Sequence, residues 1–236
     1  MKKIEKYLWH AYRVSLRPIL PATSPVLYHQ IPVGIDRKSL DSFFPTYKQN
    51  YIDIPLYEDA LVRAIKTNVR PGDHVTVIGG GYGVTLAFAA MAANPRGQVT
   101  CFEASASAIG FCRKTLRRNG VEEQVTFEHA IVSNSYNLYG KGHAETVVDP
   151  ADLIDCDVLE LDCEGAELNI LRGLRIRPRA ILVETHGVYG SSTAEVSDLL
   201  TQMGYSVTDL GPAEPRILEK CAEWDLNVLS ATLPAS

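Results

Sequence analysis

The stretch that decides the fold reads Val75-Thr-Val-Ile-Gly-Gly-Gly-Tyr-Gly-Val-Thr85, and Val99-Thr-Cys-Phe-Glu103 follows it after a gap of helix length. The first part is typical of a buried strand that ends in a glycine-rich turn, and the second of a buried strand that ends in a carboxylate. Glycine is needed where a backbone turns tightly and approaches a ligand with no Cβ in the way. Glu103 lies 20 residues beyond Gly83, where a carboxylate can accept hydrogen bonds from both ribose hydroxyls of an adenosine group. Together these features predict a site for a nucleoside-containing cofactor.

The spacing of the glycines indicates which cofactor. Glycines at 79, 81 and 83 give G-x-G-x-G, whereas a dinucleotide fingerprint is G-x-G-x-x-G and would have its third glycine at Val84. The pattern resembles motif I of the class I S-adenosylmethionine-dependent methyltransferases. Val77 departs from that motif, because many members have an acid two residues before the first glycine. A turn that only joins a strand to a helix is the alternative, and Glu103 after the next strand favours the cofactor site.

Size and composition limit the class of protein. With 236 residues, 46% of them hydrophobic, the chain can build one large core, or one core with an appendage. A net charge of -5 argues against a dedicated nucleic-acid binder. The apolar runs are too short to span a bilayer, and the N-terminus lacks the apolar region of a signal peptide. Five cysteines without a C-x-x-C pair predict neither a disulfide framework nor a zinc site, and we expect a reducing, cytoplasmic location.

The first 55 residues are predicted to form an extension. Residues 2–17 have the pattern of an amphipathic helix with a basic face (Lys2, Lys6, His10, Arg13, Arg17) opposite an apolar one (Ile4, Leu8, Ala11, Tyr12, Leu16). The favoured interpretation is that this helix packs on its own domain or on a second subunit of a homo-oligomer; the alternative is weak association with an anionic membrane surface. Residues 18–55 mix prolines with aromatic residues, so we predict an irregular segment that covers the main domain and helps to shape a substrate pocket.

Residues 56–236 are predicted to form the main domain, because helix and strand patterns alternate regularly there. Helices are expected at 56–68, 82–93, 105–119, 165–173 and 193–203, and strands at 74–78, 98–103, 124–132, 157–161, 180–185 and 225–233. Ser105 and Gly120 are placed to cap the third of these helices. The alternation indicates an α/β fold, a doubly wound and mostly parallel sheet with helices on both faces.

A second cluster of polar residues follows the strand at 157–161. Asp162, Glu164 and Glu167 come directly after this strand, and the carboxyl ends of parallel strands face the crevice in which such sheets bind ligands. Glu167 falls in the first helical turn, where negative charge is favoured in any case. Asp162 and Glu164 precede the helix and are therefore the stronger candidates for a site.

The run Leu161-Asp-Cys-Glu-Gly-Ala-Glu-Leu-Asn-Ile-Leu-Arg-Gly173 resembles the D-x-E-G-A-E…L-R-G signature of the FkbM family of methyltransferases, and Ala180-Ile-Leu-Val-Glu-Thr-His186 resembles that family's next strand, which often ends in Glu-x-His. The resemblance covers about residues 56–187. It implies a Rossmann-like, seven-stranded class I methyltransferase fold with a reversed final strand. It also implies chiefly O-methyl transfer from S-adenosyl-L-methionine, in many members to hydroxyls of sugars, glycans or natural products.

These expectations assign roles to particular residues. His186 is the first candidate for a general base and Glu164 the second, because a hydroxyl nucleophile needs help in losing its proton. Positions expected to contact the cofactor are Gly79, Gly80, Gly81, Tyr82, Gly83, Glu103, Ser105, His129, Ala130 and Asp162. Some similar sugar O-methyltransferases use a divalent cation held by acids after these strands, and this resemblance implies that Asp162, Glu164 and Glu184 could form part of such a site. No spacing is specific to a metal, and no metal is predicted. The alternatives are a nucleotide-dependent oxidoreductase and a non-catalytic binding protein that retains the fold.

Overall fold

The computed structural model describes residues 2–43, 54, 56–133 and 146–234, with side chains from residue 7 onward. The helices are α1 (Lys2–Ala11), α2 (Asp59–Asn68), α3 (Val84–Ala93), α4 (Ala106–Arg118), α5 (Glu167–Gly173), α6 (Thr193–Gln202) and α7 (Leu218–Trp224). The strands are β1 (Ala22–Tyr28), β2 (Ile31–Lys38), β3 (His74–Ile78), β4 (Gln98–Phe102), β5 (Val125–Glu128), β6 (Ile131–Val132), β7 (Val147–Val148), β8 (Val158–Leu161), β9 (Ala180–Glu184), β10 (Ser206–Pro212) and β11 (Asn227–Thr232).

Seven strands form the central sheet, in the order β10-β11-β9-β8-β3-β4-β5. Strand β11 runs antiparallel to both of its neighbours, and the other pairs in β9-β8-β3-β4-β5 are parallel. The inner strands are apolar in succession rather than alternately, as in Ala180-Ile-Leu-Val183, because both faces of a parallel sheet are covered. This arrangement confirms the predicted doubly wound sheet with a reversed final strand.

Helices cover both faces of this sheet. On one face, α2, α3 and α4 contribute Leu61, Leu86 and Leu116 to the core. On the other face, α5 and α6 contribute Ile170 and Leu200. The predicted caps of α4 are confirmed, since the Ser105 side chain accepts a hydrogen bond from the Ala108 amide and Gly120 follows the helix with a φ of +70°.

The order of the strands creates a crevice at one edge of the sheet. Strand β3 lies between β4 and β8. The chain therefore places β4 and β5 next to one edge of β3 and later places β8 next to the other edge. In open parallel sheets, ligands bind outside the carboxyl ends of the strands at such a switch point. The glycine turn, Glu103 and Asp162 follow β3, β4 and β8 respectively, so the topology brings all three to the same crevice.

The prediction of an irregular segment over residues 18–55 was wrong for residues 22–38. Strands β1 and β2 pair as an antiparallel hairpin with two irregularities in register. The hairpin rests on α4, where a Cβ on Gly34 would lie 2.3 Å from the Phe111 carbonyl oxygen. These strands were not predicted because they contain Pro25 and Pro32. Proline argues against a strand in a sequence, although it is tolerated at edge strands and bulges. Phe44, Tyr47 and Tyr51, the aromatics after residue 43, lie outside the described residues.

The N-terminal helix ends earlier than predicted, and the described side chains of its expected apolar face are mostly exposed. Regular helix stops at Ala11, and a wider turn (Tyr12–Leu16) and a 3-10 turn (Arg17–Ile19) follow. Leu8 and Leu16 are exposed, whereas Tyr12 is buried and donates a hydrogen bond to Asp41 Oδ1 (2.8 Å). Among the described residues, no helix is both long and apolar enough to cross a bilayer.

The remaining differences lie toward the edges of the sheet. The strand predicted over 124–132 is divided, because β5 stays in the central sheet while β6 pairs with β7 in a separate two-stranded sheet. Strand β10 and helix α7 were not predicted. Both are half polar, with exposed residues such as Ser206 and Glu219, so neither has the apolar run by which the inner strands were recognised.

Candidate active site

In the glycine turn after β3, Gly79 and Gly81 occupy positions where the absence of a side chain matters. A Cβ on Gly79 would lie 1.9 Å from the Asp162 carbonyl oxygen, so Gly79 lets the turn pack against the end of β8. Gly81 has a φ of +50°, and among the described residues beyond its chain neighbours a Cβ there would come within 4 Å of Glu58 Oε1 alone, at 3.9 Å. Gly81 therefore faces the crevice, and its missing side chain leaves room for a ligand.

Glu103 connects the glycine turn to the start of α4. Its Oε2 accepts hydrogen bonds from the amides of Gly80 (2.8 Å) and Gly81 (3.3 Å), and its Oε1 accepts one from the Ser105 amide (2.7 Å). The side chain is 9% exposed. A carboxylate held in this way has a fixed orientation at the crevice.

The crevice has a volume of about 360 Å³, within the range of small-molecule sites. Of the predicted cofactor contacts, Gly79, Gly81, Glu103, Ser105, Ala130 and Asp162 line it. Gly80, Tyr82, Gly83 and His129 are not among its lining residues. Tyr82 instead packs edge-on against Phe111 (centroids 5.8 Å apart), and His129 Nε2 lies 3.1 Å from the Ala104 carbonyl oxygen.

A second compartment of about 300 Å³ adjoins the crevice. Tyr57, Glu58, Asp162 and Glu164 line both spaces. Glu184, Glu214 and His186 add polar groups to the second compartment, and Tyr189 and Trp224 add aromatic ones. We call this space the acidic compartment.

Asp162, Glu184 and His186 converge in the acidic compartment, each just inside or beyond the end of β8 or β9. His186 Nε2 lies 3.6 Å from Asp162 Oδ1 and 3.8 Å from Glu184 Oε1. The ring is 8% exposed and is positioned by backbone pairing between His186 and Ser191. The cation-site set considered from the sequence contained Glu164 in place of His186. In the structure, Glu164 is exposed, has a φ of +50° and is not part of this cluster.

Glu167 has a larger role than the helix-terminus charge considered from the sequence. Its side chain is fully buried, and its Oε1 lies 2.8 Å from His186 Nδ1. The same oxygen accepts a hydrogen bond from the Gly165 amide (3.1 Å). Glu167 therefore fixes the orientation of the imidazole and directs Nε2 toward Asp162 and Glu184.

Burial and neighbouring charges shift the pKa values of this cluster in opposite directions. Burial opposes the charged form of His186, but the hydrogen bond to Glu167 and the charge of Asp162 outweigh it and raise the His186 pKa. Burial also opposes ionisation of Glu167, yet its hydrogen bond to His186 lowers the Glu167 pKa. For Glu184, burial and then the charge of Asp162 both raise the pKa.

Sequence reasoning missed two acids near these compartments. Glu58 lines both spaces, and burial followed by the charge of Asp162 raises its pKa. Nothing in the sequence distinguishes Glu58 from an ordinary acid before a helix. Glu160 is completely buried in β8; a glutamate inside the apolar run Val158-Leu-Glu-Leu161 was a visible signal.

Comparison with known proteins agrees with this geometry. The methyltransferase small domain matches residues 52–149, and the methyltransferase FkbM domain matches residues 143–207. The chain is therefore a class I methyltransferase that uses S-adenosylmethionine. Its segment from β8 to β10 carries the FkbM domain, which confirms the resemblance seen in the sequence. These matches decide against the oxidoreductase alternative. No curated protein sequence matches the chain.

Solved structures support the same fold. An S-adenosylmethionine-dependent O-methyltransferase from Thermotoga maritima is 18% identical over 87% of this chain and 79% of that chain, with a TM-score of 0.50. A possible exported protein from Bordetella parapertussis is 13% identical over 75% of this chain and 67% of that chain, with a TM-score of 0.51. At such identities the likeness concerns the fold alone.

Proposed function

We propose that this methyltransferase transfers a methyl group to a hydroxyl of a sugar, a glycan or a natural-product-like small molecule. The observation that carries the proposal is the His186–Glu167 pair, whose imidazole presents Nε2 to a compartment beside the cofactor crevice. A hydroxyl must lose its proton to become a good nucleophile, whereas a neutral amine needs no base for its attack. A base oriented by a buried carboxylate therefore favours an oxygen acceptor.

The crevice fits S-adenosylmethionine. We propose that Gly79, Gly81, Glu103, Ser105, Ala130 and Asp162 hold it, with Glu103 accepting hydrogen bonds from ribose hydroxyls. Phe102, Ile131 and Val132 supply apolar walls for the adenine ring. The cofactor supplies a methyl group on a positively charged sulfur that is already electrophilic, so the protein has mainly to align donor and acceptor.

The acceptor would lie in the acidic compartment, with its hydroxyl directed toward the crevice. In this arrangement His186 Nε2 takes the hydroxyl proton, and Glu167 stabilises the imidazolium that forms. The acceptor oxygen would then form its bond to the methyl carbon as the bond between the cofactor sulfur and that carbon breaks, which leaves neutral S-adenosylhomocysteine. Glu164 is the second candidate for the base, since it lines both spaces and is exposed.

The test uses methyl-labelled S-adenosylmethionine with a panel of monosaccharides, nucleoside-diphosphate sugars and polyhydroxylated small molecules. On the best acceptor, His186→Ala should lower kcat about 10²–10⁴-fold while leaving S-adenosylhomocysteine affinity unchanged. Glu164→Gln should have a smaller effect on kcat. An unchanged kcat in His186→Ala at saturating cofactor would contradict the proposed base, and cofactor binding without transfer to any acceptor would support the non-catalytic alternative.

The rate should also depend on pH in a defined direction. The base must be unprotonated to act, and the His186 pKa is raised above its ordinary value. We therefore expect kcat to fall as pH decreases through that raised pKa and to level off above it. In Glu167→Gln the inflection should move to lower pH, because the carboxylate that raises the pKa is gone. If the inflection of the pH–rate profile does not move in Glu167→Gln, the group that titrates is not His186.

A further inference from the structure

Three side chains in the acidic compartment point toward one common centre. The ligand-type atoms of Asp162, Glu184 and His186 all lie within 4.8 Å of one another. The separations from His186 Nε2, 3.6 Å to Asp162 Oδ1 and 3.8 Å to Glu184 Oε1, are too long for hydrogen bonds. They are close to the separation of about 3.3–3.6 Å between two ligand atoms on a tetrahedral ion with bonds of 2.0–2.2 Å.

The same groups have bonding capacity that the described part of the protein does not use. Glu184 Oε2 is inaccessible to solvent and has no hydrogen-bond partner among the described residues. The imidazole is more than nine-tenths buried, and Nε2 makes no hydrogen bond to either carboxylate that faces it. Buried polar atoms without partners cost free energy. An ion at the centre would satisfy His186 Nε2, and binding of the ion by both oxygens of Glu184 would satisfy Oε2 as well.

Glu167 completes the pattern by what it does at the other ring nitrogen. Its carboxylate lies 2.8 Å from His186 Nδ1, so Nδ1 carries the proton and the lone pair of Nε2 is directed into the cluster. Histidines that bind metals usually have this outer carboxylate, which fixes the ring and increases the donor strength of the ligating nitrogen.

We propose that Asp162, Glu184 and His186 bind a divalent transition-metal ion, of which Zn²⁺ and Mn²⁺ are the probes, and that its open coordination positions receive the acceptor oxygen. An imidazole in the ligand set favours such ions over Mg²⁺, which prefers oxygen ligands alone. This inference rests on the proposed function and changes the role of His186 within it. The lone pair of Nε2 then binds the metal, so His186 is a metal ligand instead of the general base.

The reaction remains balanced with the ion present. The acceptor O–H bond ionises beside the metal, and the proton passes to solvent. The acceptor oxygen forms the C–O bond, the bond between sulfur and the methyl carbon breaks, and neutral S-adenosylhomocysteine remains. A metal lowers the pKa of a bound hydroxyl as it does that of bound water, so no protein base is required for this step.

The direct test is calorimetric titration of chelator-treated, full-length protein with Zn²⁺, Mn²⁺ and Mg²⁺. One Zn²⁺ or Mn²⁺ should bind at this cluster, and Mg²⁺ should bind at least 100-fold more weakly. Glu184→Gln and His186→Ala should each weaken Zn²⁺ or Mn²⁺ binding at least 100-fold, and Glu167→Gln about 10–100-fold. Glu164→Gln is the matched control, since it removes a carboxylate from the same compartment but outside the cluster.

The results separate this inference from the proposed function. Absence of one-to-one binding, or an equal loss of affinity in Glu164→Gln and Glu184→Gln, would overturn the metal site. Full methyl transfer by chelator-treated protein would do the same and leave His186 as the base. Metal binding that follows the predicted variants, with no transfer to any hydroxyl acceptor, would contradict the proposed function but not the metal site.

Discussion

At the scale of single residues, Glu103 shows how a carboxylate can be prepared for a ligand before the ligand arrives. Three backbone amides, those of Gly80, Gly81 and Ser105, hold its two oxygens. Oε2 accepts two of these bonds, whereas Oε1 accepts one and keeps a second lone pair for a ligand. In the proposed binding mode the carboxylate therefore does not have to be reoriented when a ribose approaches. The same bonds join the glycine turn to the start of α4.

Replacement of Glu103 should therefore weaken cofactor binding. We expect Glu103→Ala to lower S-adenosylhomocysteine affinity by about 1.5–3 kcal/mol, the range for hydrogen bonds to a charged group. Calorimetry on the folded variant measures this. Glu128→Ala is the matched control, because Glu128 ends the neighbouring strand β5 but is exposed and does not line the crevice. Equal affinities for the two variants would mean that the nucleoside binds elsewhere.

At the scale of elements, α4 connects the hairpin to the glycine turn through one side chain. The completely buried Thr115 hydroxyl accepts a hydrogen bond from the Gly34 amide (2.7 Å) and donates one to the Tyr82 carbonyl oxygen (2.6 Å). Asp36 adds ion pairs to Lys114 and Arg118. The hairpin is thus part of the support of the site, although it lies at the opposite end of the sequence from β9.

Removing this hydroxyl should destabilise the protein. Thr115→Val keeps the shape of the side chain but leaves the Gly34 amide without its partner, so we expect the free energy of unfolding to fall by about 1–3 kcal/mol. Thr201→Val provides the comparison, since the exposed Thr201 hydroxyl donates a hydrogen bond to the Ser197 carbonyl oxygen within α6 and supports no contact between elements that the structure describes. Denaturant titration of both variants measures the difference. A loss as small as that of Thr201→Val would show that the hairpin is held by its other contacts.

The elements also show what the sequence could predict. Strands β3, β4, β8 and β9 were recognised because strands buried on both faces are apolar throughout, and the residues after their carboxyl ends were predicted as a site for the same topological reason. The contact between His186 and Glu167 could not be predicted, because it depends on how α5 is placed against the loop after β9. Glu58 was missed for a related reason, because its local sequence is ordinary and only packing brings it to the crevice. The hairpin was missed because its prolines are typical of irregular segments.

At the scale of the whole molecule, the N-terminal segment is joined to the hairpin side of the protein through Asp41 and the Asp36 carbonyl oxygen, and most of its described side chains are exposed. Tyr12 and Arg17 both bond to Asp41, which is 2% exposed. Tyr7, Val14 and Ile19 are 75%, 60% and 79% exposed. The contacts of Asp41 support packing of the N-terminal segment on its own domain. The exposed residues are available to a membrane surface or to a second subunit, and the next experiment tests both.

Deletion of residues 1–17 should lower thermal stability, because Asp41 loses the Tyr12 hydroxyl and the Arg17 guanidinium and stays buried with fewer partners. Tyr12→Phe removes one of these bonds alone and should give part of the loss. Size-exclusion chromatography of the same proteins reports on a homo-oligomer. Flotation with acidic vesicles that weakens with salt, together with an unchanged melting temperature after deletion, would instead favour the membrane surface.

The wall shared by the two compartments has a consequence for turnover. Asp162, Glu58 and Glu164 line both the cofactor crevice and the acceptor space, so in the binding mode proposed above the sulfur of the donor lies near the carboxylates of Asp162 and Glu164. Methyl transfer converts that positively charged sulfur into a neutral thioether. These carboxylates therefore attract the positively charged donor but not neutral S-adenosylhomocysteine. We expect the same carboxylates, which also border the acceptor, to favour the replacement of S-adenosylhomocysteine by a new molecule of S-adenosylmethionine.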